Sequence, residues 1–233
     1  MARLLLLSNS TNHGERYLAH AADEMLDLLG GCRRILFVPF ALADRGGYTA
    51  KFRTRLEELG CAVDGLAADA TGLRQIETAE AVFVGGGNTF RLLKTLQEAE
   101  LLAPLRERAL AGMPYLGASA GINLAGPTIR TTNDMPIVEP RDFKALGLVP
   151  FQINPHFLDA DPDSTHMGET RAERLAEFHE ENATAVVGLR ERAWIRVEGS
   201  RAWLGGERGA RIFRRGAEAE ERTTGEALDD LLI

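Results

Sequence analysis

AVFVGGGNTFRLL, residues 81–93, is an apolar run that ends in three glycines, after which Asn88 and Thr89 open a stretch with apolar residues at helical spacing. A run of β-compatible residues without polar alternation is how a strand covered on both faces reads. Three glycines let the backbone turn sharply into a helix whose first N–H groups are unpaired. The same unit recurs on both sides. Leu4–Leu7, Ile35–Phe40, Cys61–Leu66 and Tyr115–Gly117 read as further strands, and Glu15–Leu29, Tyr48–Leu59, Thr89–Leu96 and Ala103–Ala111 as helices. Such alternation predicts an α/β fold with a mostly parallel sheet and helices on both faces.

The last third changes character. A long irregular stretch, Thr128–Phe157, precedes a predicted helix at Glu169–Glu180 and four short strands at Ala185–Leu189, Ala193–Val197, Ala202–Leu204 and Ile212–Phe213. Their Gly-rich and charged turns predict an antiparallel extension of the same sheet. No linker or repeat divides the chain, so one α/β domain over 1–233 is expected. The irregular stretch is too long for an idle connection and is a candidate functional loop.

Composition narrows the function. The 233 residues carry a net charge of −7, with Lys and Arg scattered rather than striped, which argues against a nucleic-acid partner. The Leu4–Leu7 run is too short for a membrane span or a signal segment. Cys32 and Cys61 lack metal or redox spacing and are expected as reduced thiols of a cytoplasmic protein.

GASAG, residues 117–121, carries the strongest chemical signal. A serine on a strand-to-helix turn needs small neighbours, because the backbone bends sharply and pushes the hydroxyl outward. The N–H of Ala120 would then face a developing oxyanion. An activated serine also needs a base, and His156, within QINPHF (152–157), has the proline-fixed, partly apolar setting that suits one. The base in turn needs a carboxylate to fix its tautomer. Asp134, inside the long loop, and Glu191, just past the strand Val186–Leu189, are both candidates. Placement at a strand end favours Glu191.

At this point the chain resembles the peptidase E, or alpha-aspartyl dipeptidase, family. The matching segments are LLLLSNST (4–11), VGGGNTFRLL (84–93), GASAGINLAGPTIRTTNDMPIV (117–138), QINPHF (152–157) and GETR (168–171). The resemblance implies a flavodoxin-like fold related to class I glutamine amidotransferases, with serine in place of cysteine. It also implies hydrolysis of small dipeptides with an N-terminal aspartate and no cofactor. By analogy the serine and histidine are Ser119 and His156, the acid is Asp134 or Glu191, and Gly86 joins Ala120 in the oxyanion hole. A homodimer is what the family suggests, and a one-residue insertion between Leu158 and Met167 is a departure from it.

Aspartate selection requires a cation for the substrate's side-chain carboxylate, and a planar guanidinium meets it bidentately. Arg171 is the first candidate and Arg130 the second, with Asn88 as a further candidate substrate contact. Rival readings share the serine: a cyanophycinase-like peptidase acting on aspartyl bonds in a polymer, or a non-catalytic aspartyl-ligand binding module. An ordinary α/β-hydrolase esterase fits less well, because several predicted strands still follow His156. No metal site is expected, since His and carboxylates never stand at HExxH-like spacing. Activity should therefore survive exhaustive EDTA treatment; loss restored by one divalent ion would reverse that reading.

Overall fold

In the computed structural model, which describes residues 1–161, 163, 165 and 167–233, the chain builds two sheets. The expected insertion between Leu158 and Met167 lies partly outside the described residues. Five strands, β1 (Arg3–Leu7), β2 (Arg34–Val38), β3 (Ala62–Gly65), β4 (Ala81–Val84) and β5 (Tyr115–Ala118), run parallel in the order β3-β2-β4-β5-β1. Beyond β1 the sheet continues antiparallel through β8 (Ala193–Glu198) and β9 (Arg201–Gly206), making seven strands. The alternation of the leucine run explains why it is apolar throughout. Leu4 and Leu6 enter one core cluster and Leu5 and Leu7 the other, all fully buried.

Helices cover both faces. On one side α1 (Ala22–Leu29) and α2 (Arg45–Glu58) pack Met25, Leu28, Phe52 and Leu56 against Phe37, Phe83 and Leu116. On the other, α3 (Ala70–Thr78), α4 (Thr89–Glu98), α5 (Leu102–Leu110) and α6 (Ala120–Ala125) bury Ile76, Leu92, Leu93, Leu105 and Ile122 against Val82, Val84 and Tyr115. Direction reverses where β3 and β4 leave β2 on opposite sides, and ligand sites of such sheets gather beyond the carboxyl ends of the strands.

Some expectations need correction. The predicted helix Glu15–Leu29 starts only at Ala22, after one 3₁₀ turn at Ala19–Ala21. Leu18 gives its N–H to Ser10 O at 2.7 Å and stands at φ 58, so the chain ahead of the turn is a looped segment. The C-terminal strands do not all extend the main sheet. Only β8 and β9 do; β7 (Val186–Arg190) and β10 (Ala210–Phe213) join β6 (Gln152–Phe157) and β11 (Glu220–Arg222) in a second sheet ordered β11-β10-β7-β6. β6 lies within the stretch expected to be irregular, and it pairs parallel with β7. One core cluster, containing Val82, Ile153, Val187 and Ile212, runs continuously under both sheets. No helix among the described residues is long and apolar enough to cross a membrane.

Candidate active site

Ser119 directly follows β5 at φ 52, ψ −111 and precedes the first helical residue of α6. For a side chain other than glycine such a conformation costs about 1–3 kcal/mol, so the surrounding turn must impose it. It does so by close packing. A Cβ on Gly121 would stand 2.4 Å from Val84 O, and one on Gly86 would stand 3.0 Å from the Cβ of Ser119. Only glycines let the turns after β4 and β5 meet this closely. Gly86 thereby comes against the serine. Ala120, as the first residue of α6, has an N–H with no intrahelical acceptor.

His156 Nε2 lies 2.9 Å from Ser119 Oγ, and its Nδ1 lies 2.8 Å from Glu191 Oε1. The three side chains come from the end of β5, from β6 and from the turn after β7. Both the imidazole and the carboxylate keep partial exposure, 35% and 50%. An Nδ1–H donating to Glu191 leaves Nε2 as an acceptor for the serine hydroxyl, the tautomer that a base requires.

Asp134 takes a different place. Its Oδ2 accepts from Thr89 N–H at 2.8 Å, from the Thr89 hydroxyl at 2.6 Å and from the Thr132 hydroxyl at 3.1 Å. It therefore ties the long loop to the first residue of α4. Asn88 caps the same helix, accepting from Arg91 N–H at 3.0 Å, and donates to Met135 O at 2.8 Å. Of the two candidate acids, Glu191 is the one brought to His156.

The two arginines also separate. Arg130 is exposed, with its guanidinium over the Phe143 ring, 5.8 Å from the centroid. Arg171 opens α7 (Arg171–Glu181), where Thr170 and Glu173 form a capping box. Its guanidinium donates to Asn133 Oδ1, and that oxygen also accepts from Asn154 Nδ2 at 2.7 Å. Asn133 Nδ2 donates in turn to Pro155 O at 2.6 Å, next to His156. Burial lowers the Arg171 pKa from its ordinary value, with Arg174 adding repulsion, and among the described residues no carboxylate pairs with it. A half-buried cation that no described carboxylate pairs with suits an anionic ligand. Asn133 is a site residue that sequence reasoning missed; only its place in the TTND segment hinted at it.

The family model described as Peptidase family S51 matches residues 4–205. Peptidase E of Streptomyces coelicolor is 57% identical over 229 residues, covering 98% of this chain and 94% of that protein. A Drosophila melanogaster protein named "Probable alpha-aspartyl dipeptidase" is 48% identical over 221 residues, covering 94% and 92%. Among solved structures, a peptidase from an acI-B1 Actinobacterium superposes with a TM-score of 0.74 at 18% identity, covering 98% of this chain and 96% of the other, and so shares the fold. With a matching model over most of its length and relatives this similar, the chain belongs to peptidase family S51.

Proposed function

We propose that this peptidase is a serine-type dipeptidase that cleaves dipeptides with an N-terminal aspartate, through an acyl-enzyme on Ser119. The observation that carries the reading is the line Ser119 Oγ, His156, Glu191, with spacings of 2.9 and 2.8 Å, on a strained strand-to-helix turn. His156 Nε2 takes the hydroxyl proton as Oγ attacks the scissile carbonyl, and Glu191 stabilises the imidazolium. N–H groups of Ala120 and Gly86 hold the oxyanion. The imidazolium then protonates the leaving amine, and a water activated by the same base releases aspartate. The names of the relatives support the aspartyl substrate over the polymer and binding-module readings.

Arg171 is the cation assigned to the substrate's side-chain carboxylate. Rejecting a neutral side chain requires a desolvated charge that is left unpaired when the wrong substrate binds. On a panel of Asp-X, Glu-X, Asn-X and beta-aspartyl dipeptides, the wild type should favour Asp-X. Arg171→Met should lower kcat/KM for Asp-X by roughly 10²-fold or more and narrow its preference over Asn-X. An unchanged Asp-X to Asn-X ratio would move the role elsewhere, with Arg130 tested next. A wild type inactive on Asp-X would sink the substrate reading.

The same proposal includes a cytoplasmic location, supported by cysteines 32 and 61 forming no disulfide, and a homodimer, to be checked by sedimentation.

A further inference from the structure

Ser8 follows β1 at once and is fully buried. Its surroundings are set by an irregularity in the second sheet. β6 and β7 pair at Asn154 with Gly188 and again at Phe157 with Arg190. Between those pairs, Pro155 and His156 stand against Leu189 alone, so β6 carries one extra residue, a bulge of the kind that re-aims a side chain. Proline has no N–H for the ladder, and His156 stands at φ 53, outside strand geometry. The bulge leaves the His156 N–H and the Leu189 C=O in need of other partners.

The Ser8 hydroxyl serves both. It accepts from the His156 N–H at 2.9 Å and donates to Leu189 O at 2.9 Å. One hydroxyl has one proton and two lone pairs, so the two bonds coexist. The same chain segment holds the rest of the site. Ser119 N–H donates to Leu7 O at 3.1 Å, and Arg192 N–H donates to Asn9 Oδ1 at 2.8 Å just after Glu191.

We propose that Ser8 is a positioning residue of the reaction, its buried hydroxyl locking the β6 bulge that aims His156 to the end of β7 that presents Glu191. The proposal rests on the Ser119–His156–Glu191 reading above. An imidazole and a carboxylate exposed to this degree hold each other only weakly, so their alignment must come from the backbone. Tolerances in such constellations are about 0.5 Å, and displacement by roughly 1 Å can cost about 10²-fold.

The test compares Ser8→Ala, Ser8→Cys and Ser119→Ala with the wild type on an Asp-X dipeptide, alongside thermal melts and proton NMR of the imidazole Nδ1–H bonded to Glu191. Ser8→Ala should lower kcat about 10- to 100-fold, leave KM within about two-fold, and broaden or abolish that downfield resonance. Ser119→Ala should keep the resonance while losing turnover. Wild-type kcat in Ser8→Ala, or a change confined to KM or to Tm, overturns the proposal. If Ser8→Ala does not fold, Ser8→Cys decides, because its sulfur fills the space but bonds weakly. A folded Ser8→Cys with reduced kcat supports positioning; full kcat, or failure of both variants to fold, overturns it. Turnover retained in Ser119→Ala overturns the site reading and this proposal together, whereas an inactive Ser119→Ala beside a normal Ser8→Ala overturns only the proposal.

Discussion

Ser119→Ala should lower kcat by on the order of 10⁴-fold or more while leaving the fold intact, the loss expected when a triad nucleophile is removed. The hydroxyl's polar contact is with His156 Nε2, so its deletion empties no core position. Alanine also meets the same positive φ as serine, which leaves the strain of the turn unchanged. Melting temperature should therefore move little. Residual turnover would come from the N–H groups of the oxyanion hole and from substrate positioning, which survive the substitution. Steady-state kinetics on an Asp-X dipeptide and a thermal melt suffice to check both halves. An alanine variant with near wild-type kcat would refute the serine mechanism.

The main sheet was legible because a strand buried on both faces must be apolar at every position, as Leu4–Leu7 and Ala81–Val84 are. What the pattern does not carry is which sheet a short strand joins. Val186–Arg190 and Ala193–Glu198 are similarly apolar, yet the first pairs with β6 and β10 and the second with β1 and β9. Pairing is a non-local choice, decided here by β6. That strand was hidden because Pro155 argues against a strand interior, whereas it sits in a bulge where no N–H is needed. Helix α3 was missed for a related reason. Gly72 weakens the helical pattern, but a Cβ there would stand 2.1 Å from Ala67 O, so close packing demands the glycine.

At the site, the proposed nucleophile and base could be picked out from local context, since a strained turn and a proline-flanked histidine both leave marks on their neighbours. Ser8 left none. Its role arises from a bond across 148 residues of chain, and buried serines of other roles look identical in sequence. Gly86 falls between these cases: the glycine turn was visible, but its contact with Ser119 depends on β4 and β5 being adjacent.

Glu191→Gln should lower kcat roughly 10³- to 10⁴-fold with little change in KM, whereas Asp134→Asn should act mainly on substrate binding and stability. The imidazole tautomer decides the role of Glu191. A carboxylate at 2.8 Å from Nδ1 can only accept, so it fixes the proton there and leaves Nε2 to take the serine proton. A glutamine at 191 can turn its NH₂ toward Nδ1, which favours the proton on Nε2 and removes the base without disturbing the geometry. Asp134 faces three donors from Thr89 and Thr132. Asparagine there can still accept from Thr89 but loses the charge that strengthens those bonds, a loss of about 1–2 kcal/mol. The loop would then loosen from the start of α4, next to the Gly85–Asn88 turn. KM should rise, Tm should fall, and kcat at saturating substrate should stay within about ten-fold of the wild type. Both variants can be compared on one Asp-X dipeptide over a concentration series that reaches saturation. If Asp134→Asn abolishes turnover at saturating substrate while Glu191→Gln is nearly silent, the orienting role belongs to Asp134, and the 2.8 Å contact of Glu191 with His156 is incidental to catalysis.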